Sequence, residues 1–399
     1  MVSATARPYI DASVPVLREH GLDITRTFYR NMFEAHPELK NLFNMGNQAS
    51  GVQQQSLASA VFAYAANIDN AAALAPVVSR IVHKHASVGI TAEHYPIVGR
   101  HLLGAIQEVL GDAATPPLIE AWAEAYNELA TALITAEQAM YAQASITPGQ
   151  LRAMRVTNVR NESEDIKAFV LDPVDGQAAP DFKPGQYVSV SVTFDDGTTQ
   201  LRQYSLSDAP NAHTLRISVK RGRRGDETPA GQVSNWLHDN AGPGALIQIT
   251  HPFGDFAPDT ETSAPIVLLS AGIGITPMIS ALNRMAQVSP QRQVVFAHAA
   301  RNSDHHAHRA DVAAAAKVMP RLQVVTFHED GSDCDGVATL AGRMALSKLP
   351  RWDHGQAEVY LCGPVEFMQE QWRALIDAGV PASRLHREVF GPELLNYLK

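Results

Sequence analysis

Two histidines stand one residue apart in the stretch SRIVHKHASVG, Ser79 to Gly89. Imidazole binds transition metals and moves protons near neutral pH, so His83 and His85 are the first candidates for chemistry. The stretch reads as the end of a helix. Two positions apart on a helix, the rings point to different faces, so at most one of them faces a given partner. The ordinary alternative is a core histidine beside a surface one.

A second set of residues suits phosphate and flat aromatic ligands. Ala271-Gly272-Ile273-Gly274-Ile275-Thr276-Pro277 follows the apolar run PIVLLS. That is strand, glycine-rich turn and helix, where backbone amides approach a pyrophosphate at a helix N-terminus. Proline occupies the place of the third glycine of the usual dinucleotide fingerprint, and an ordinary βα turn is the competing reading. A second apolar run, AEVYL, ends in Cys362-Gly363-Pro364. Two such turns at the carboxyl ends of strands make a dinucleotide crevice the better reading. Upstream stand Pro184-Gly-Gln-Tyr187 and Arg202-Gln203-Tyr204-Ser205. Arginine pairs with a diphosphate, tyrosine lines an aromatic ring and serine bonds its edge. Gly231-Gln232-Val233-Ser234, opening a helix that runs to Asn240, offers further amides and a hydroxyl. Each of these also fits plain barrel architecture. His305, His306 and His308 suggest a metal, but they fall in a polar connection with no further ligands nearby, so no metal is expected there. Arg221-Gly-Arg-Arg224 reads as a solvated loop, with contact to an anionic partner as the alternative.

These residues need three kinds of scaffold. Residues 1–143 are Ala-rich and periodic, with helices expected over Asp11–His20, Gly21–Ala35, Gly51–Ala66, Ala72–Ser87, His94–Leu110 and Pro116–Ala142, and an irregular piece, LKNLFNMGN, between the second and third. That is an all-α bundle. Pro, Gly and polar residues between Ser145 and Gln150 mark a boundary. Over 150–259 short alternating runs (QYVSVSVTF, LRISVKR, ALIQITHP) punctuated by turn residues predict a small antiparallel β-barrel. Over 264–399 apolar runs alternate with helical stretches (Pro277–Ala286, His308–Val318, Val365–Asp377), the pattern of an α/β parallel sheet.

Composition agrees with a multi-domain enzyme. At 399 residues the chain needs two or three domains, and 45% apolar with 18% charged residues is a globular balance. A net charge of −9 argues against a nucleic-acid partner, which needs a basic face. The N-terminus has no signal-peptide pattern and no run is long enough to span a membrane, so a cytoplasmic protein is expected. Cys334 and Cys362 cannot form a thiolate metal centre alone.

The motifs PGQY, RQYSLS, GQVSNWLH, SAGIGITPM and YLCGP occur in this order and resemble the ferredoxin–NADP reductase-like FAD and NAD(P) reductases. Glu388-Val389-Phe390-Gly391-Pro392 resembles the segment of that family near the flavin and nicotinamide; Val389 replaces a cysteine of some relatives. FYRNMFEAHPELKNLFNM resembles a globin, and globin, FAD barrel and NAD module together resemble the flavohaemoglobins. The resemblance implies haem b, FAD and NAD(P)H as cofactors and His85, not His83, as the axial iron ligand. It implies Glu137 as the carboxylate partner of His85, with Tyr95 beside it, and so an electron-rich iron that activates O2. It further implies Tyr29 and Gln53 on the distal side, Phe43 against the porphyrin, Leu57 restricting the pocket, and Lys84 and Glu388 tuning electron transfer.

The implied activity is nitric oxide dioxygenase: 2 NO + 2 O2 + NAD(P)H → 2 nitrate + NAD(P)+ + H+. NO and O2 are then the small-molecule partners, a lipid in the distal pocket is an open question, and a monomer is expected. A lipid hydroperoxide reductase or NAD(P)H oxidase keeps the cofactors and changes the substrate. An O2 or NO sensor or carrier is the non-enzyme alternative, against which the reductase motifs stand. A globin that has lost haem would show no Soret band.

Overall fold

The computed structural model describes residues 2–68, 70–225, 229–331 and 339–392. The tail Glu393–Lys399, the middle of the 221–230 loop and Cys334 lie outside the described residues.

The N-terminal bundle contains α1 (Arg7–Ala35), α2 (Met45–Ala49), α3 (Val52–Ala66), α4 (Ala71–Val88), α5 (His94–Leu110) and α6 (Pro116–Ala144). The two helices expected before Ala35 are one. Ile10, Leu17, Ile24 and Phe28 form a single buried stripe that runs past Gly21. Packing of that stripe outweighs the roughly 1 kcal/mol that glycine costs inside a helix. The irregular piece is also ordered, as a 3-10 turn over Pro37–Leu42 followed by α2.

α3 is apolar yet mostly half-buried, and Ala65 is its only buried residue. It packs closely on α1 and barely touches α4. Phe43, Leu57 and Val61 lie half-covered at the edge of the bundle core. An apolar slot therefore opens between α3 and α4, which a bundle packed to normal interior density would have filled.

The second unit is the expected antiparallel barrel. Its strands are β1 (Arg152–Asn161), β2 (Ile166–Pro173), β3 (Tyr187–Thr193), β4 (Thr199–Ser205), β5 (Leu215–Lys220) and β6 (Leu246–Ile249). They run in the order β4-β3-β6-β1-β2-β5. A bridge between Leu206 and Ile217 joins the two edges and closes the sheet. α7 (Gln232–Asn240) caps it, with Val233 and Leu237 in the barrel core.

The third unit is a parallel sheet in the order β10-β9-β8-β7-β11-β12. Its elements are β7 (Ile266–Ala271), α8 (Ile275–Val288), β8 (Val294–Ala300), α9 (Arg309–Val318), β9 (Leu322–His328), β10 (Thr339–Ala341), β11 (Glu358–Cys362), α10 (Val365–Asp377) and β12 (Leu385–Glu388). Every residue of β7 is buried, as expected for a strand covered on both faces.

The bundle and the barrel meet along α4 and at the Pro37–Leu42 turn, where the Gln200 amide donates to the Lys40 carbonyl at 3.3 Å. Arg80, His83, Lys84 and Ser87 follow the i, i+3, i+4, i+7 spacing of one helix face, and His85 points elsewhere. The Gly254 N–H donates to His83 Nδ1 at 3.0 Å. The Gln203 amide donates to the Ser87 hydroxyl at 2.8 Å. Arg80 lies 3.8 Å from Asp255. Below them Ala86, Tyr141 and Phe253 form an apolar cluster across the boundary. The interdomain linker is held there too: a Cβ at Gly89, which ends α4 with φ 80°, would sit 2.5 Å from the Gly149 backbone.

Candidate functional site

α4 carries His85 toward the slot. Its Nδ1 lies 2.7 Å from Glu137 Oε1 and 3.2 Å from the Tyr95 hydroxyl. Tyr95 donates to the same Glu137 oxygen at 2.6 Å. Glu137, on α6, is only 2% exposed, so its carboxylate is committed to these two partners instead of to water. Burial, then the Glu137 hydrogen bond, pushes the Tyr95 hydroxyl far above its usual range, so Tyr95 is a donor at any working pH. With Nδ1 fixed in this way, Nε2 is left as the ligating nitrogen.

α1 and α3 supply the other wall. Gln53 donates to the Tyr29 hydroxyl at 3.3 Å. Tyr29 is buried among Phe28, Phe33 and Phe43, and its ring meets Phe43 edge-on at 5.7 Å. Burial pushes its hydroxyl up to about 12. Leu57 is half-covered on the same helix as Gln53. A flat apolar slot with one poised imidazole and a phenol–amide pair suits an iron porphyrin.

On the barrel, Tyr187 and Ser205 are buried and cross-paired on β3 and β4, and Tyr204 is half-buried against the barrel core. Burial raises the Tyr187 hydroxyl well above the usual value. Arg202 Nη1 donates to Gln200 Oε1 and to the Leu201 carbonyl. Gln203, expected beside a flavin, also donates across to the bundle at Ser87. The first turn of α7 has no side-chain cap, so its amides stay open to an anion. The Ser234 hydroxyl is engaged locally, accepting from the Gly222 N–H at 3.0 Å and donating to the Gly231 carbonyl at 3.2 Å. Val233 is buried and Gln232 is exposed. An uncapped helix start facing aromatic barrel residues fits a flavin dinucleotide.

The two glycine turns of the third unit adjoin. A Cβ at Gly274 would collide with the Cys362 carbonyl, so the turn after β7 rests directly on the turn after β11. Gly272, at φ 53°, has open space where a side chain would be. Gly272 and Ile273 border the crevice half-buried, whereas Ile275, Thr276 and Pro277 are buried. A Cβ at Gly363 would lie 2.8 Å from the Phe367 ring, so Gly363 and Pro364 fit tightly against α10. Such a bare, close-packed turn suits a pyrophosphate.

The C-terminal segment links this crevice to α4. Cys362 on β11 stands in register with Glu388 on β12. Burial pushes the Cys362 thiol well up, so it stays protonated. Glu388 is raised to about 7, first by burial, against the lowering influence of Lys84. Val389 is buried beside it and Phe390 is 46% exposed. Gly391, at φ 126°, turns its carbonyl to the Lys84 ammonium at 2.6 Å; Pro392 is the last described residue. Burial lowers the Lys84 pKa.

The histidine cluster differs from expectation. His308 is fully buried, and partners stand beside it: Glu162, His308 and Asp311 present ligand atoms within 4.8 Å of one another. The chain's own cations already occupy this position. Arg216 binds Asp311 at 3.0 Å and Arg160 lies 3.2 Å from Glu162. His308 donates or accepts at both nitrogens, to Asp311 and to the Ser218 hydroxyl, and so ties α9 to the barrel. Arg221 and Arg223 are likewise engaged, with Asp239 and Glu164.

Residues 26–133 match the Globin model, 153–257 the oxidoreductase FAD-binding domain and 268–372 the oxidoreductase NAD-binding domain. A flavohemoprotein of Chromobacterium violaceum is 48% identical, over 98% of this chain and 98% of that protein. One from Bordetella parapertussis is 47% identical, over 98% of this chain and 99% of its own. The chain belongs to the flavohemoprotein (flavohaemoglobin) family. Among solved structures, the flavohemoglobin of Malassezia yamatoensis with bound FAD and haem superposes with a TM-score of 0.86 at 31% identity, covering 98% of this chain and 100% of that one. The FAD/NAD-binding domain of nitric oxide dioxygenase from Vibrio cholerae covers 60% of this chain and 99% of its own, with a TM-score of 0.55 at 35% identity. As a flavohemoprotein, this chain is an oxidoreductase that joins a globin to FAD-binding and NAD-binding reductase modules. No described helix is long and apolar enough to cross a membrane.

The residues that sequence reasoning missed lie on the shared face of α4: Arg80 and Ser87, on either side of His83, which sequence reasoning set aside in favour of His85, with Asp255 and Gly254 opposite. Their helical spacing was a signal, a polar stripe on an otherwise apolar helix.

Proposed function

We propose that this protein is a nitric oxide dioxygenase, a cytoplasmic monomer that converts NO and O2 to nitrate with electrons from NAD(P)H. The observation that carries the reading is the pairing of His85 with buried Glu137 and Tyr95, on a helix whose other face touches the reductase. Haem iron supplies a one-electron centre where O2 and NO combine, and FAD splits the hydride pair of NAD(P)H into single electrons.

The chain's own groups do the following. Glu137 and Tyr95 hold His85 with Nδ1 as the donor and Nε2 toward the metal. The carboxylate would give the imidazole anionic character, so that an iron held there would be electron-rich and suited to activating O2 and not only to storing it. Tyr29, oriented by Gln53, donates a hydrogen bond to negative charge that develops on oxygen. Phe43 and Leu57 exclude water from that space. On the reductase side, Tyr187, Tyr204 and Ser205 hold the flavin ring, and Arg202 and the α7 amides its diphosphate. Gly272, Ile273, Gly363 and Pro364 bring the nicotinamide dinucleotide to the ring. Lys84, bonded to Gly391, and Glu388 set the charge on the path between flavin and haem.

The test is NADH-driven NO removal in air by the haem- and FAD-loaded protein, compared with Tyr29→Phe and His85→Ala. The wild type should consume NO far above background, Tyr29→Phe at least tenfold more slowly, and His85→Ala at background. NO removal at background in a fully loaded wild type would overturn the assignment; faster turnover of lipid hydroperoxides than of NO would favour that substrate.

A further inference from the structure

We propose that the dinucleotide crevice selects NADPH, with Arg301 as the residue that receives the 2′-phosphate. The inference rests on the reductase reading above and names the substrate of that site. In a doubly wound dinucleotide fold the first strand ends in the glycine turn under the pyrophosphate. The tip of the neighbouring second strand reaches the adenosine ribose, where a carboxylate accepts the ribose hydroxyls of NAD and an arginine accommodates the phosphate of NADP.

Here β7 ends in the glycine turn and β8 is its parallel neighbour, with Ala271 opposite Ala299 in register. The tip of β8 reads His298-Ala299-Ala300-Arg301-Asn302 and carries no carboxylate. Arg301 is the first residue beyond the strand and is exposed.

One nitrogen of its guanidinium has a partner. The Arg301 Nη1 lies 3.3 Å from His305 Nε2, and His305 Nδ1 lies 2.6 Å from Asn302 Oδ1. The amide oxygen only accepts, so His305 donates from Nδ1 and accepts from Arg301 at Nε2. Asn302 also caps the short turn Ser303–His305, which fixes the ring. A guanidinium held by one Nη presents its remaining N–H groups as a fork, the geometry that matches phosphate.

Among the described residues, Glu164 and Glu329 have other cations beside them, while Asp304, in the Ser303–His305 turn, is exposed three residues from Arg301. Glu164 lies 3.6 Å from His305 and pairs with Arg223 at 2.6 Å. Glu329, beyond the tip of β9, lies 3.6 Å from Arg343. Asp330 meets Arg301 through its backbone N–H, which donates to the Arg301 carbonyl. A 2′-phosphate would thus meet Arg301 at the tip of β8, with the paired Glu164 and Glu329 at its sides and the exposed Asp304 as the acid that opposes it. Were Glu329 or Asp330 to bind the ribose instead, NADH would be favoured.

The experiment is anaerobic stopped-flow bleaching of the flavin in the full holoprotein by NADPH and by NADH, in wild type, Arg301→Gln and Arg301→Glu. The flavin and Soret bands verify that each variant is loaded. Wild type should be reduced faster by NADPH at equal low concentration. Arg301→Glu should lower the NADPH-to-NADH ratio of second-order rate constants by about 30-fold, ~2 kcal/mol, and Arg301→Gln by about tenfold. Inhibition by adenosine 2′,5′-bisphosphate should exceed that by AMP in wild type and lose its advantage in Arg301→Glu. A wild type that prefers NADH, or a ratio unmoved by Arg301→Glu, overturns the assignment of Arg301. Failure of both dinucleotides to bleach a fully loaded flavin would overturn the reductase reading itself. Because NO is absent from the assay, a failed dioxygenase assignment leaves the result readable.

Discussion

The Lys84 ammonium donates to the Gly391 carbonyl at 2.6 Å, joining the residue before His85 to the segment that follows Glu388. The contact places a cation between bundle and reductase, on the face of α4 opposite the slot. Removal of the charge at constant length should slow passage of electrons across this boundary and leave the first step alone. In Lys84→Met, flavin reduction by NAD(P)H should stay within about twofold of wild type, while haem reduction falls by roughly tenfold or more, ~1.4 kcal/mol in the barrier. Single-turnover stopped flow, following flavin and Soret bands separately, measures both; equal rates for haem reduction in variant and wild type would dismiss the role of Lys84.

Glu137 sits between His85 and Tyr95 and is shielded from water. Replacement by Gln keeps the shape and removes the negative charge. The imidazole should then give less density to iron, so the haem midpoint potential should rise by roughly tens of millivolts. The iron–histidine stretching frequency should drop in resonance Raman spectra. An unchanged frequency in Glu137→Gln would show that the carboxylate does not tune the metal.

The Tyr29 hydroxyl is pushed up to about 12 by burial, so it carries its proton throughout the range in which the protein is folded. If Tyr29 donates to bound oxygen as proposed, O2 dissociation should be independent of pH between about 6 and 10. Tyr29→Phe should accelerate dissociation at least tenfold, consistent with loss of a hydrogen bond to a charged acceptor of about 1.5–3 kcal/mol. Flash photolysis across that pH range checks both statements.

Glu388 gives a pH signature of the opposite kind. Its folded pKa is raised to about 7, above the value of about 4.5 expected for the unfolded chain. A raised pKa means the native state holds the proton more tightly than the unfolded state. The stabilisation is complete below about 4.5 and is lost as pH rises through about 7. Glu388→Gln abolishes this dependence, so its melting temperature relative to wild type should climb from pH 5 to pH 8. A constant difference across that window would mean that Glu388 ionises normally.

Gly274 rests on the Cys362 carbonyl, so even a methyl group must separate the two turns. Gly274→Ala should cost about 1–3 kcal/mol by overpacking. It should also raise the KM for the dinucleotide before it alters haem spectra. Thermal melting with and without nucleotide, together with steady-state ferricyanide reduction, separates the two effects.

Much of the scaffold was legible because its signals are local. Alternation marked β1 to β6, and the change to apolar runs with helices marked the parallel sheet. The choice of His85 over His83 came from family resemblance, and helix geometry agrees with it by turning His83 to Gly254. The expected break between His20 and Gly21 is absent because the buried stripe from Ile10 to Phe28 holds α1 together through packing. The burial of His308 was invisible for a related reason. The string HHAHR looks solvated, and only the approach of the barrel residues Ser218 and Glu162, far off in sequence, covers it. Gln203 and Ser87 are 116 residues apart, and no periodicity encodes such a pair.

The double duty of α4 has a consequence for modularity. One face of that helix offers an imidazole to the slot and the other is the reductase's mooring. A foreign globin grafted onto this barrel would bring a working haem pocket and still stall, unless it also carried the Arg80, His83, Lys84 and Ser87 stripe. The unit of exchange in this chain is therefore a haem pocket together with its reductase-facing residues on α4, on the Pro37–Leu42 turn and at Tyr141, not the haem pocket alone.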